Sequence, residues 1–128
     1  MQATILFGHG SRDPLWRLPI DTVAQRMLAI DPQCCVRCAF LELTEPDLAS
    51  TTAELVALGV SCITIVPMFL GVGRHAREDL PVLVQALQLD YPKVCFMLQP
   101  SVGEDARVVE LLAQIAMPSA AAQAATAA

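Results

Sequence analysis

Short apolar runs alternate with longer amphipathic ones along this chain, the signature of consecutive βα units. Residues 3–8, Ala-Thr-Ile-Leu-Phe-Gly, form the first apolar run and predict a strand. A helix is expected from about Leu18 to near Ile30, because Pro19 fits only a first turn and would break an earlier start. The second strand is expected over 34–43, a stretch rich in Val, Phe and Leu. Thr44, Glu45, Pro46 and Asp47 read as a capping box, with Thr44 at the N-cap, Pro46 in the first turn and Asp47 at the reciprocal position. That helix is expected to stop at Gly59, which tolerates positive φ. The third strand is expected over 61–67, centred on Ile63, Ile65 and Val66. A helix over 77–89 follows, with Pro81 acceptable only in its first turn. A fourth strand is expected over 94–98, and a last helix from near Glu104 with Val108, Val109, Leu111, Leu112 and Ile115 on its apolar side.

Four βα units with right-handed crossovers predict an α/β fold, a small four-stranded parallel sheet with helices on both faces. That is a three-layer sandwich of the flavodoxin or Rossmann kind. It spans residues 1–118 as a single domain, and the alanine-rich tail over 119–128 is expected to be disordered, having little to bury. Ligands of such sheets bind beyond the carboxyl ends of the strands. His9, Glu42, the loop 68–75 and residues 99–101 all follow predicted strands, so all are expected at that edge.

Composition narrows the picture. A hydrophobic fraction of 55% with 16% charged residues calls for a densely covered sheet or a subunit interface. A net charge of −5 with no basic run argues against nucleic acid as a partner. The chain's start has no basic n-region, and no apolar run reaches the roughly 18 residues of a membrane span, so a membrane partner is not expected. Five cysteines, Cys34, Cys35, Cys38, Cys62 and Cys95, fall within apolar strand-like segments, which favours a reducing cytoplasm and core thiols. Cys35 and Cys38 have C-x-x-C spacing, yet in a strand they face opposite sides of the sheet, which argues against zinc.

The candidate chemistry rests on the only two histidines, each in a glycine-bearing loop after a strand. Imidazole binds divalent metal or accepts a proton near neutral pH. Around His9, Gly8 and Gly10 permit a tight turn, Ser11 and Arg12 suit an anion, and Asp13 suits an arginine or a helix cap. Around His75, Gly71 and Gly73 lack the lysine and hydroxyl of a phosphate loop, while Arg74 and Arg77 suit carboxylates. An ordinary strand-to-helix loop is the bland alternative for both. Glu42 is a hard-oxygen metal ligand or a solvent-facing strand end, and Glu78 and Asp79 are within reach of the site or, the favoured reading, first-turn acids complementing a helix dipole. A serine triad lacks its G-x-S-x-G elbow.

Taken together, residues 7–13, 40–46 and 67–81 resemble the CbiX/SirB family of sirohydrochlorin chelatases, and specifically its short single-domain form. The resemblance covers nearly the whole chain up to the tail. It implies a lyase that inserts a divalent ion, Co²⁺, Fe²⁺ or Ni²⁺, into a carboxylate-rich tetrapyrrole without ATP, in cobalamin or sirohaem biosynthesis. The metal is then substrate, with no tightly bound cofactor, and the partner is a second copy in a homodimer. By position, His9 and His75 match the family's catalytic and metal-binding histidines, and Glu42 an acidic residue that helps bind metal. Given that substrate, Ser11, Arg12, Arg74 and Arg77 suit its carboxylates, and Met68, Phe69 and Leu70, with Gly71 and Gly73, suit its ring. The family's longer members often carry a histidine-rich stretch, which is absent here. The rival expectation is a non-catalytic tetrapyrrole or metal carrier.

Overall fold

In the computed structural model, which describes residues 1–118, β1 (Gln2–Gly8) lies between β2 (Val36–Phe40) and β3 (Cys62–Pro67), and β4 (Cys95–Leu98) flanks β3. All pairings are parallel, with Gly8 opposite Phe40 and Phe7 opposite Pro67. The expected tail lies outside the described residues. The helices are α1 (Leu18–Ile30), α2 (Leu48–Ala57), α3 (Arg74–Asp90) and α4 (Ala106–Ala116), the last preceded by a 3₁₀ turn at Val102–Glu104. The strand order 2-1-3-4 is flavodoxin-like and places the topological switch point between β1 and β3, where such sheets bind ligands.

Strand alternation divides the core in two. Ala3, Ile5 and Phe7 point to the α2 and α3 side, where they meet Leu48, Leu55, Leu80, Val84 and Leu87. Leu6, Val36 and Phe40 point the other way, onto Ile20 of α1. Ile5, Phe7, Ile63 and Ile65 are completely buried, each contributing on the order of 2 kcal/mol. Cys35 packs in the first cluster and Cys38 against the second, so the C-x-x-C pair is split across the sheet as expected. Burial, with Asp21 nearby, pushes the Cys38 thiol up to about 11, which keeps it protonated and a poor metal ligand.

Several boundaries differ from expectation for local reasons. β2 ends at Phe40 because the chain turns sharply at Leu43, whose φ is +63°. Thr44 is not an N-cap. Its hydroxyl is taken by the backbone of Ser11, and Asp47 caps α2 instead, accepting from the Ser50 N–H at 2.8 Å. Gly59, at φ +91°, follows the end of α2 as expected. α3 starts at Arg74, directly after Gly73, so Pro81 lies inside the helix. Its ring removes the N–H that would bond the Arg77 carbonyl. α4 starts at Ala106, capped by Asp105, and buries none of its residues. Among the described residues, no helix is long and apolar enough to cross a membrane.

Candidate functional site

The parallel ladder between β1 and β2 continues past the last paired residues. Leu41 N–H donates to the Gly8 carbonyl at 2.9 Å and Glu42 N–H to the His9 carbonyl at 3.1 Å. This register, not any local signal, brings Glu42 alongside Gly10 and within reach of His9. Glu42 then enters a tight turn in which Thr44 N–H donates to the Glu42 carbonyl at 2.7 Å, two residues back. With Leu43 at φ +63°, this is a γ-turn of the rare, strained kind. The result is a His9 Nε2 to Glu42 Oε1 contact of 3.2 Å, with both side chains about half exposed.

Two features hold the arrangement. Gly10 has φ +104°, and a Cβ there would lie 1.7 Å from the Glu42 carbonyl oxygen, so only glycine lets the two loops meet. The Thr44 hydroxyl accepts from Ser11 N–H at 2.9 Å and donates to the Ser11 carbonyl at 2.7 Å. The Ser11 hydroxyl in turn accepts from Asp13 N–H, and Arg12 is exposed. Below the imidazole lies the edge of Phe69, ring centroids 6.4 Å apart, itself edge-on to Phe7.

His75 occupies the first turn of α3, after β3. Its Nε2 meets Asp79 Oδ2 at 3.0 Å, one helical turn on. The early start of α3 makes this pair possible. Glu78 and Asp79 are therefore past the first turn, and Glu78 pairs with Arg74 at 3.0 Å. Sequence reasoning missed Asp79 as a partner; the signal was its four-residue spacing from His75, obscured by placing the helix start at Arg77.

The structure thus yields two imidazole–carboxylate pairs at the carboxyl edge, after the adjacent strands β1 and β3. It does not close His9, His75 and Glu42 into one ligand set: among the described residues, no three His, Cys, Asp or Glu side chains sit together as a metal cluster. Nor do both rings open into one enclosed pocket. A cleft of about 380 Å³ lies beyond β3 and β4 and is lined by neither histidine. It adjoins both, because its wall includes Phe69, which His9 touches, and Ala76, next to His75.

Of the residues expected to hold substrate, Phe69, Leu70, Gly71 and Arg77 line this cleft. Met68 packs instead against the α1 cluster, and Phe69 is only 8% exposed. Gly73 and Arg74 are exposed at the start of α3. Residues 99–101 join the cleft wall as expected, together with Glu104. Gly103, not anticipated from the sequence, fixes that wall. Its N–H donates to the Phe69 carbonyl at 3.0 Å, and a Cβ on it would fall 1.8 Å from the Leu70 carbonyl oxygen.

Comparison with known proteins bears on this arrangement. The sequence model of the CbiX family matches residues 3–117. A sirohydrochlorin cobaltochelatase of Methanococcus aeolicus is 31% identical over 90 residues, covering 70% of this chain and 63% of that protein. One from Methanosarcina acetivorans is 27% identical over 115 residues, covering 84% and 88%. Several of the curated relatives are matched over less than two thirds of their own length. Among solved structures, a putative cobalamin biosynthesis CbiX protein from Marinobacter aquaeolei VT8 superposes with a TM-score of 0.78 at 28% identity, covering 90% of this chain and 93% of that one. The sirohydrochlorin chelatase SirB from Bacillus subtilis subspecies spizizenii, in complex with cobalt, superposes at 0.74 with 26% identity, covering 88% of this chain and 48% of that one.

Proposed function

The chain belongs to the CbiX family, and on that premise we propose that it is a sirohydrochlorin chelatase, inserting a divalent ion into the tetrapyrrole without ATP. The observation that carries the reading is the pair of imidazole–carboxylate contacts, His9 with Glu42 and His75 with Asp79, flanking the switch point of the sheet. Relatives named sirohydrochlorin cobaltochelatase, and SirB crystallised with cobalt or with Fe³⁺, support Co²⁺ and Fe²⁺ as substrates, with Ni²⁺ chemically admissible at the same donors. The pathway served is then that of cobalamin or sirohaem.

Insertion exchanges two pyrrole N–H protons for one ion, which trades its water ligands for four ring nitrogens. Each histidine here has a carboxylate on Nε2, which favours the Nε2–H tautomer and leaves Nδ1 as the basic atom for metal or proton. If Glu42 and His9 ligate one ion together through Nε2, the proton between them moves to Nδ1 and the imidazole binds as its other neutral tautomer. In this reading Arg77 in the cleft, together with the exposed Arg12 and Arg74, meets the substrate's carboxylates, and Leu70 and Phe69 meet the ring. Ser11 contributes chiefly by holding the His9 loop to Thr44. The five free thiols support a reducing cytoplasm as the site of the reaction, and the working unit we favour is a homodimer.

The test is anaerobic mixing of protein, sirohydrochlorin and Co²⁺ or Fe²⁺, followed by the macrocycle's absorption. Acceleration by the wild type, lost in His9→Ala and in His75→Ala, is expected, and both histidines are exposed enough for the variants to fold. Full activity in both variants refutes the site. Stoichiometric binding of the macrocycle with no acceleration makes the protein a carrier.

A further inference from the structure

Glu42 reaches His9 from a strained turn, and strain of that kind needs restraint on both sides. Leu43, the next residue, has φ +63°, a backbone conformation that leucine keeps only where its surroundings over-determine it. Before Leu43 the restraint is the sheet, through the Leu41 and Glu42 N–H groups on the Gly8 and His9 carbonyls. After it the chain returns to its own start, where Phe40 N–H donates to the Pro46 carbonyl at 2.9 Å. Between these ends the tip of the loop is held twice. The Thr44 hydroxyl binds the backbone of Ser11, which belongs to the His9 loop and moves with it. Arg17, at the N-cap of α1, reaches the tip from a helix, its Nη1 donating to the Glu45 carbonyl at 3.0 Å.

Arg17 is itself fixed. Its Nε and Nη2 donate to Asp21 Oδ2 and Oδ1 at 2.9 and 3.0 Å, one helical turn on. Its Cζ sits 4.6 Å from the ring centroid of Phe40, which is fully buried and stands opposite Gly8. All three guanidinium nitrogens are thus engaged within the chain, whereas Arg12 and Arg77 are offered to the substrate's carboxylates. The Glu45 carbonyl lies at the surface, where water would serve it as well. What a fork anchored on Asp21 and Phe40 adds there is placement.

We propose that Arg17 is a positioning residue for metal binding: by fixing the Glu45 carbonyl it holds the turn at Leu43 closed and keeps Glu42 Oε1 on His9. The proposal rests on the metal role given to that pair above. When the tie is lost, the turn relaxes at Leu43, and Glu42, one residue earlier, leaves the imidazole. Lysine in place of Arg17 keeps a charge over Phe40. As a point charge it cannot hold two carboxylate oxygens and a carbonyl together.

The experiment is a double-mutant cycle on the full chain, with Arg17→Lys and Asp21→Asn each made in the wild type and in Glu42→Gln. Both side chains are 30% exposed, and folding is checked by circular dichroism. Co²⁺ is titrated while following the hyperfine-shifted imidazole resonances of His9, identified by their loss in His9→Ala, so that Co²⁺ on thiols does not enter. Arg17→Lys should weaken Co²⁺ at His9 about 10-fold, and Asp21→Asn by less in the same direction. Insertion at saturating sirohydrochlorin should slow in step, with the KM for the macrocycle unchanged. In Glu42→Gln, which already lacks the carboxylate, Arg17→Lys should change neither quantity further. An equal loss in that background overturns the proposal, because general structural support is additive. So does wild-type Co²⁺ affinity in Arg17→Lys, with or without a raised KM for the macrocycle, the raised KM marking a substrate contact instead. His9 resonances that ignore Co²⁺ in the wild type overturn it as well, even where insertion is accelerated. A wild type that binds Co²⁺ at His9 and shows the expected cycle but does not accelerate insertion refutes the chelatase reading and leaves the role of Arg17 standing.

Discussion

Replacing Gly10 by alanine separates two effects that the structure places at one residue. Both Gly10 and Gly59 have left-handed backbones, φ +104° and +91°. At Gly59 an added Cβ meets nothing within 4 Å, so Gly59→Ala carries only the backbone strain, about 1 kcal/mol. At Gly10 the Cβ would stand 1.7 Å from the Glu42 carbonyl oxygen, and the loops must part by about 1.3 Å to reach even 3.0 Å. That displacement adds about 2 kcal/mol of overpacking to the same strain, for about 3 kcal/mol in all. The same movement falls on His9 and Glu42, which are held 3.2 Å apart by this approach. A misplacement of about 1 Å typically costs on the order of 100-fold in rate. Urea unfolding should therefore rank the variants wild type, Gly59→Ala, Gly10→Ala, and only Gly10→Ala should lose metal insertion. Equal stability losses in the two variants, or wild-type insertion by Gly10→Ala, would refute the argument that this approach builds the site.

Asp79→Asn should reduce insertion by about 10-fold to 100-fold with little change in unfolding, since it removes the carboxylate that orients His75 while remaining on a half-exposed helix surface. An unchanged rate would reduce the His75–Asp79 contact to a helix-surface pair. Asp47→Ala should cost about 1 kcal/mol by removing the cap of α2. The Ser50 hydroxyl and N–H hold the Asp47 carboxyl below its usual range. Its stabilisation is thus present above the unfolded value near 4 and withdrawn as pH falls through the lower folded value, so wild type and Asp47→Ala should converge in stability on acidification. Convergence failing to occur on acid titration of the urea midpoint would place the cap's contribution elsewhere. At pH 8 and without denaturant, Cys38 should be alkylated by iodoacetamide much more slowly than exposed Cys95, as peptide mass mapping would report.

What was legible in the sequence follows the range over which each feature is determined. The bounds of α1 were readable because one proline, Pro19, settles its start within a turn. The sheet was readable, and with it the carboxyl edge at which His9 and His75 stand, because apolar periodicity and crossover handedness leave few arrangements. The His9–Glu42 contact was not readable as geometry. It depends on Gly8 standing opposite Phe40, a pairing 32 residues apart in sequence that only the folded sheet settles. Asp79 was hidden by a local error of three residues: α3 begins without a side-chain cap, so nothing in the sequence marked Gly73 as its N-cap. The apolar stripe of α4 shows the sharpest limit. Periodicity announces that Val109, Leu112 and Ile115 share a buried face, yet burial against one's own sheet and burial against a neighbour's leave the same pattern. Among the described residues the folded helix buries none of that stripe, so what periodicity announced is not met by the helix's own sheet.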